Sequence, residues 1–326
     1  MKRLKEQILE SVRQDLSEIE AALTENLKPY LPMVSHVAKY IMFSGGKRIR
    51  PLLMILSARL CGYNGSYDKT LSVVFEYLHA ATLLHDDVVD DADVRRGNPV
   101  SHSIWGTPAT VLVGDFLLAR SISIAAETDS VPIIDVLADT TAQMSEGEIH
   151  QLLHKGDIAV SETDYMEVIS RKTAYLIRAA CQVGALLAEA QEEQVQALAE
   201  YGYQLGIAFQ MADDLLDYTA DTKVIGKPVG TDLKEGKLTM PIIYALNRAT
   251  GEDRRRLEII IQDPDIKEED FEAVLELIKK YDGVEYTRER AQEHIEKAKA
   301  CLEIFSASNA RRLLEQLAEY VLARQM

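Results

Sequence analysis

The chain has 326 residues, of which 47% are hydrophobic and 6% aromatic, and its net charge is −16 at pH 7. This length allows a large buried core, and the acidic charge argues against nucleic acid or anionic lipid as the main partner. With no uncharged apolar run of about 18 residues, the sequence predicts no transmembrane segment. The N-terminus resembles an amphipathic helix rather than a signal peptide, and three scattered cysteines fit a reducing compartment, so we expect a cytoplasmic protein.

Apolar residues recur with helical periodicity along the chain, and most Gly and Pro residues fall between the periodic segments. Helices are predicted over residues 3–29, 33–43, from about 49 onward, and over 69–94, 108–126, 130–154, 162–190 and 193–219. A polar loop follows at 220–237, and further helices with breaks near 251, 264 and 283 complete the chain. Because no strand, hairpin or linker signal is present, we predict one all-α domain spanning residues 1–326.

The most distinctive feature is an acidic motif that occurs twice, as DDVVD at residues 86–90 and as DDLLD at residues 213–217. Each copy lies inside an apolar, helix-like stretch, where an ionised Asp is costly unless it is paired. One copy alone would fit a solvated acidic helix face. Two matched copies instead predict that cations complete a shared site.

The spacing within each motif fits this interpretation. Residues four apart lie on one helix face, about 6 Å from each other. The pairs with this spacing are Asp86 with Asp90 and Asp213 with Asp217. Asp87 and Asp214 project about 100° around the helix axis, where they fit a second metal or a supporting role. Carboxylate ligands favour Mg²⁺, which usually retains water and substrate phosphates as well, so a diphosphate held through Mg²⁺ is predicted.

Basic residues near the motifs are candidates for binding phosphate. They are Lys47, Arg48 and Arg50 at the start of a helix, Arg95 and Arg96 after the first motif, Lys172 in an apolar helix, and Lys227 and Lys237 in the loop after the second motif. His79 lies on the helix face of Asp86. Each of these residues, taken alone, could have a purely structural role, such as a cation at a helix terminus or a histidine in the core. Together they predict a diphosphate site.

Together these residues resemble the trans-isoprenyl diphosphate synthase (polyprenyl synthetase) family over residues 40–245. The matching segments are GGKRIRP at 45–51, LHDDVVD at 84–90 with RRG at 95–97, GD at 114–115, KTA at 172–174, FQ at 209–210 before DDLLD, GK at 226–227, GTD at 230–232 and GK at 236–237. The resemblance implies an all-α bundle around a central cavity, usually as a homodimer. It also implies Mg²⁺-dependent head-to-tail condensation of geranyl or farnesyl diphosphate with isopentenyl diphosphate.

The resemblance further implies a role for each matched residue. Three Mg²⁺ ions would join Asp86, Asp90, Asp213 and Asp217 to the allylic diphosphate, with Asp87 and Asp214 beside them. Arg95, Lys172 and Lys227 would bind that diphosphate, and Lys47, Arg50, His79 and Arg96 would bind isopentenyl diphosphate. Lys237 is a further candidate for binding substrate phosphate. Thr173 and Gln210 would face the allylic carbocation.

Residues before the first motif are expected to set the product length. Ala81 and Thr82 are small and lie five and four residues before Asp86, and Leu78 and Tyr77 are candidates for the floor of the cavity, with Phe75 beyond them. An open channel of this depth suggests a product of about six to eight isoprene units, C30–C40. Ala81 and Thr82 also fit ordinary packing positions.

Several alternative functions remain open from the sequence. Within the family these are a short-chain farnesyl or geranylgeranyl diphosphate synthase and a catalytic or silent subunit of a heteromeric synthase. A terpene cyclase is disfavoured by the second DDLLD motif. A helical Ca²⁺-binding or scaffolding protein would not explain the basic residues.

Overall fold

The computed structural model describes residues 2–219, 230–263 and 266–323. The helices are α1 (Lys2–Ser11), α2 (Arg13–Glu25), α3 (Pro32–Phe43), α4 (Ile49–Leu60), α5 (Asp68–Val89), α6 (Ser101–Trp105), α7 (Thr107–Ala126), α8 (Val131–Leu153), α9 (Glu162–Ile169), α10 (Tyr175–Leu187), α11 (Glu192–Thr219), α12 (Thr231–Lys234), α13 (Met240–Arg248), α14 (Gly251–Ile261), α15 (Glu268–Lys280), α16 (Gly283–Cys301) and α17 (Asn309–Ala323). A π-helix, Ser170–Ala174, joins α9 to α10. This architecture confirms the predicted all-α class.

The helix that carries the first Asp motif ends earlier than predicted. It ends at Val89, and the chain then forms a two-residue antiparallel ribbon, β1 (Val94–Arg95) and β2 (Asn98–Pro99). Arg96 and Gly97 turn this ribbon with φ angles of 52° and 78°, as a tight hairpin requires. Two-residue strands show no alternation of apolar residues, so the ribbon was not predicted from the sequence. Similarly, the predicted first helix is interrupted at Val12, between α1 and α2.

The π-helix interrupts what the sequence predicted as one helix over 162–190, and two glycines pack against it. A Cβ on Gly147 of α8 would lie 2.6 Å from Cβ of Arg171 and 2.9 Å from the backbone N of Lys172. A Cβ on Gly206 of α11 would lie 2.5 Å from Cα of Ala174. Only glycine therefore allows α8 and α11 to approach the π-helix this closely.

The apolar core forms two clusters that share α11. Buried residues of α2, α4, α5, α7 and α10 form the larger cluster, to which α11 contributes Leu205 and Ala208. Residues of α9 and α12–α16 form the second cluster, to which α11 contributes Ile207 and Met211. Because adjacent residues of α11 face different clusters, this helix lies between the two parts of the core and carries the second Asp motif into the interior.

Among the described helices, α7 is the one whose length and composition would allow it to cross a membrane. Asp115 and Arg120 interrupt its apolar run, so no transmembrane segment was predicted here from the sequence. Core helices of globular proteins meet the same criterion, and α7 packs along α5 within the bundle. This helix is therefore only weak support for a membrane span.

Candidate active site

The first Asp motif lies at the C-terminal end of α5, and a basic residue of the β-ribbon pairs with it. Asp87 is buried, and Arg95 of β1 donates its Nε–H to Oδ1 of Asp87 over 2.6 Å. Oδ2 of Asp87 and Oδ1 of Asp90 are buried without a hydrogen-bond partner. Buried carboxylate oxygens without partners are costly, and a bound cation would satisfy them.

Asp86 lies opposite the π-helix. The Nζ of Lys172 is 3.7 Å from Oδ2 of Asp86, and it also forms an ion pair with Glu148 of α8. Burial raises the pKa of Asp86 to about 6, and the nearby Lys172 charge opposes this shift. A second positive charge or a metal would thus be favourable beside this carboxyl group.

The second Asp motif ends α11 and is fixed by hydrogen bonds to its central residue. Asp214 is buried, and it accepts a hydrogen bond of 2.5 Å from the hydroxyl of Tyr165 and one of 2.8 Å from the amide of Gln210. Thr173 in turn donates its hydroxyl to Oε1 of Gln210 over 2.7 Å. Burial raises the pKa of Asp214 to about 7, although both hydrogen bonds lower it.

The outer residues of the second motif have different surroundings. Asp213 is exposed. Asp217 accepts hydrogen bonds from the backbone N–H groups of Gly230, Thr231 and Asp232 at 3.1–3.2 Å, and so caps the N-terminus of α12. These three donors hold the Asp217 carboxylate against the first turn of α12.

The segment that follows this cap reaches the first motif. Lys237 donates from Nζ to Oδ2 of Asp90 over 2.9 Å and to Oε2 of Glu235 over 2.6 Å. Its backbone N–H donates to the carbonyl of Asp232. Residues 230–237 thus connect the two Asp motifs. Lys227, which was also predicted to bind the diphosphate, lies outside the described residues.

A group of cations lies near the Asp motifs. Nε of Arg50 is buried without a hydrogen-bond partner, and burial lowers the pKa of this guanidinium. Burial, together with the charges of Arg50, Arg96 and Arg95, lowers the pKa of His79 well below its usual value. Arg96 also donates to the carbonyl of Gly45. Mutually repelling cations in a partly buried position form a suitable site for a phosphate group.

Two neighbouring basic residues differ in their surroundings. Arg48 is buried in the left-handed conformation, with φ 50°, and pairs with Glu20 and Glu76, each at 2.7 Å. This residue therefore joins α2, α4 and α5. Lys47 is exposed, and its Nζ lies 5.6 Å from the ring centre of Tyr320 on α17.

The residues predicted to set product length occupy different sides of α5. Thr82 is half-buried, lies one turn before Asp86, and donates its hydroxyl to the carbonyl of His79. Leu78 and Ala81 are fully buried. Tyr77 lies nine residues before Asp86, on the opposite side of the helix, and donates to the carbonyl of Leu23 on α2 over 2.6 Å. We therefore exclude Tyr77 from the proposed product-length residues.

Several residues that complete this arrangement were not singled out in the sequence. Tyr165 holds Asp214, Glu148 holds Lys172, and Nζ of Lys155 lies 3.9 Å from Oδ1 of Asp90. None belongs to a recognisable motif, and only the packing of α8 and α9 brings them to the site. A glycine in mid-helix, as at 147, was the one available signal of a close contact.

One surface cleft, of about 450 Å³, is lined by residues that include Leu56, Arg59 and Phe305, and none of the predicted site residues lines it. The predicted metal-binding residues instead lie toward the ends of α5 and α11, and Lys172 and Thr173 lie on the π-helix between α9 and α10. Their donor set of carboxylate oxygens, two of them buried without partners, fits Mg²⁺. An all-α bundle with paired carboxylate motifs beside a cation group defines a metal-dependent enzyme of diphosphate chemistry.

Comparison with known proteins identifies the family. Residues 31–278 match the family model for polyprenyl synthetase. The chain is 39% identical over 319 residues to octaprenyl diphosphate synthase of Escherichia coli K12, with 98% of each chain covered. The chain therefore belongs to the polyprenyl synthetase family, and it is a trans-prenyltransferase.

Two solved structures show the same fold. A decaprenyl diphosphate synthase from Rhodobacter capsulatus has a TM-score of 0.93 and 38% identity, covering 98% of this chain and 99% of that one. A polyprenyl synthase from Caulobacter crescentus CB15, complexed with calcium and isoprenyl diphosphate, has a TM-score of 0.92 and 36% identity, covering 98% of both chains. At these identities the similarity extends to the sequence as well as to the fold.

Proposed function

We propose that the protein condenses an allylic diphosphate with isopentenyl diphosphate, head to tail, to form an all-trans polyprenyl diphosphate of about C30–C40. This proposal rests on two contacts of the π-helix, one with each Asp motif. Its Lys172 lies beside Asp86 of the first motif, and its Thr173 reaches Asp214 of the second through Gln210. One short segment thus lies between the two halves of a site suited to a diphosphate.

Asp86, Asp90, Asp213 and Asp217 are proposed to hold Mg²⁺, with three ions for each diphosphate. Oδ1 of Asp90, which is buried without a hydrogen-bond partner, supports this assignment. When bound, Mg²⁺ neutralises the charge that develops on the departing diphosphate. Arg95, Lys172, Lys227 and Lys237 are proposed to bind the same diphosphate, which becomes the leaving group when the allylic C–O bond ionises.

The second substrate is proposed to bind at the cation group formed by Lys47, Arg50, His79 and Arg96. The lowered pKa of His79 keeps its imidazole neutral at pH 7, so it would donate a hydrogen bond without adding a charge. Thr173 and Gln210 carry oxygen atoms that would face the allylic cation. The double bond of isopentenyl diphosphate attacks that cation, and the released diphosphate accepts the proton that is lost.

The proposed product length depends on the wall of α5 beyond Asp86. Thr82 is small and lies one turn from this carboxylate, and Ala81 and Leu78 lie deeper along the helix. The octaprenyl and decaprenyl names of two relatives support a long product. A short-chain farnesyl or geranylgeranyl diphosphate synthase is the alternative that a product analysis would distinguish.

We further propose that this single-domain protein acts in the cytoplasm as a homodimer. Apolar side chains are exposed along α7 and α8, including Leu112, Ile149 and Leu153. Burial of such a surface would stabilise an interface between two copies. A heteromeric synthase, in which this chain is the catalytic or the silent subunit, is the alternative assembly.

The test is to incubate the purified chain with Mg²⁺, isopentenyl diphosphate and either geranyl or farnesyl diphosphate, and to measure the product masses. A ladder that ends between six and eight isoprene units supports the proposal. Products ending at three or four units indicate a short-chain synthase. A folded protein that gives no elongation would instead support a silent subunit, and light scattering would show whether the chain is a dimer.

A further inference from the structure

A second group of potential metal ligands lies where α8 meets α9. It consists of His150 and His154, one turn apart at the end of α8, and Asp164 in the first turn of α9. One ligand atom from each residue lies within 4.8 Å of the other two, and all three side chains are half-buried. None of these residues belongs to the Asp motifs, and no role was predicted for them from the sequence.

Hydrogen bonds already orient two of the three side chains. Nδ1 of His154 lies 2.9 Å from the carbonyl of His150, so this nitrogen carries the proton and Nε2 has the lone pair for a metal. Oδ2 of Asp164 accepts from the backbone N–H and the hydroxyl of Ser161, which leaves Oδ1 for a ligand. Metal-binding histidines and carboxylates are usually held in this way by their other polar atom.

The ligand chemistry differs from that of the Asp motifs. Two imidazoles and one carboxylate favour a borderline metal such as Zn²⁺ over Mg²⁺, which prefers oxygen ligands. Histidines at i and i+4 on a helix are a recurrent Zn²⁺ pair. The ligands of tetrahedral Zn²⁺ lie about 3.3 Å apart, so small rotations of half-buried side chains would bring these atoms to binding distance.

The position of the group connects it to the active site. Lys155, directly after His154, lies 3.9 Å from Asp90, and the N–H of Gly156 donates to the carbonyl of Gly236 over 2.8 Å. Gly236 precedes Lys237, which also binds Asp90. A metal that joins α8 to α9 would therefore restrain the connection between them, which contains Lys155 and contacts Gly236, next to Lys237.

We propose that His150, His154 and Asp164 form a second divalent-metal site, selective for Zn²⁺-type ions, that fixes the α8–α9 connection beside the active site. It is independent of the Mg²⁺ assigned to the Asp motifs. The protein supplies three ligands, and water completes the coordination.

The test is calorimetric titration of the full-length protein with Zn²⁺ in a large excess of Mg²⁺, which occupies the Asp motifs. Binding of one Zn²⁺ per chain is expected, with the affinity lowered at least about tenfold in His150→Gln and in His154→Gln. Asp164→Asn should weaken binding as well, while its remaining oxygen keeps the Ser161 cap. His36→Gln, which alters an exposed histidine on α3, is the matched control and should bind as the parent does.

Hydrogen exchange provides a readout that does not depend on activity. Zn²⁺ should slow amide exchange in residues 154–161 of the parent and of His36→Gln, but not in His154→Gln. Equal Zn²⁺ affinity in the parent and in all three ligand variants would overturn the proposal. So would the absence of any Zn²⁺ binding in the presence of Mg²⁺.

Discussion

Lys237 and Asp90 lie 147 positions apart in the chain, yet Nζ of the lysine is 2.9 Å from Oδ2 of the aspartate. Five residues earlier, the N–H of Asp232 donates to the carboxylate of Asp217. The short segment between these contacts therefore fixes the separation of the two Asp motifs. A diphosphate bound between them would replace part of this direct pairing with its own oxygens.

We expect Lys237→Gln to lower kcat/KM for the allylic substrate by about 10- to 100-fold, because a half-buried cation beside the motif would be lost. Lys237→Arg should recover part of the activity because it keeps the charge. Lys155→Gln is a suitable control, since that lysine is exposed and its pairing distance to Asp90 is longer, 3.9 Å. Equal losses in the Lys155 and Lys237 variants, measured by steady-state kinetics, would contradict a specific role for Lys237.

Asp86→Ala and Asp213→Ala should each abolish condensation, since each removes a carboxylate proposed to hold metal. The helical circular dichroism should be unchanged, because neither side chain belongs to the apolar clusters of the core. Glu193→Ala, which removes an exposed carboxylate from the same helix as Asp213, should retain full activity. Normal turnover in either Asp variant would eliminate the metal-bridging model.

Asp214→Asn should stabilise the Mg²⁺-free protein at pH 8 while reducing activity. Burial raises the pKa of Asp214 from 3.8 to about 7. Between these values the unfolded chain releases this proton and the folded chain retains it, so stability falls as pH rises through this interval and stays low above it. Removing the charge should recover on the order of 2 kcal/mol at pH 8 and little at pH 4.

The measurement is the difference in Tm between Asp214→Asn and the parent at pH 8 and at pH 4, with chelator present. Asp213→Asn is the matched control, because its side chain is exposed and carries no comparable burial cost. A difference in Tm that is the same at both pH values would show that the effect is not electrostatic.

Thr82→Phe should shorten the product by one or more isoprene units, since a bulky ring would stand one turn from Asp86. Ala81→Phe is expected to act in the same direction, but the site is fully buried, so overpacking should also cost about 1–3 kcal/mol. Tyr77→Phe should leave the product unchanged, because its hydroxyl contacts α2. Mass analysis of the products checks all three variants. Unchanged product lengths in Thr82→Phe would refute the proposal that Thr82 limits product length.

Gly147→Ala should impair catalysis more than it impairs folding. The added Cβ would lie 2.9 Å from the backbone N of Lys172, so the π-helix would have to move away from α8. We expect a loss of about 1–3 kcal/mol in stability and a reduction in kcat at saturating substrate. Ser145→Ala on the exposed side of α8 should change neither. A normal kcat with reduced stability would limit Gly147 to a packing role.

The helical class was predicted correctly from the sequence because it depends on local patterns, and the same kind of pattern led to the site residues that we propose. Apolar periodicity marks helices, and the spacing of Asp86 and Asp90 places them on one face. The π-helix and the β-ribbon were missed because each depends on contacts with distant elements. Likewise, Tyr77 and Thr82 are close in sequence, and only the packing of α2 against α5 shows that they face different surroundings.

The two glycines that flank the π-helix also restrict how this enzyme can diversify. Gly147 packs against Arg171 and Lys172, and Gly206 packs against Ala174, so an enlarged side chain at either position would displace the π-helix that carries Lys172 and Thr173. Variation should therefore accumulate elsewhere, along the wall of α5. Side chains along α5 can then change without moving Lys172 and Thr173, the residues that we propose to act at the allylic substrate.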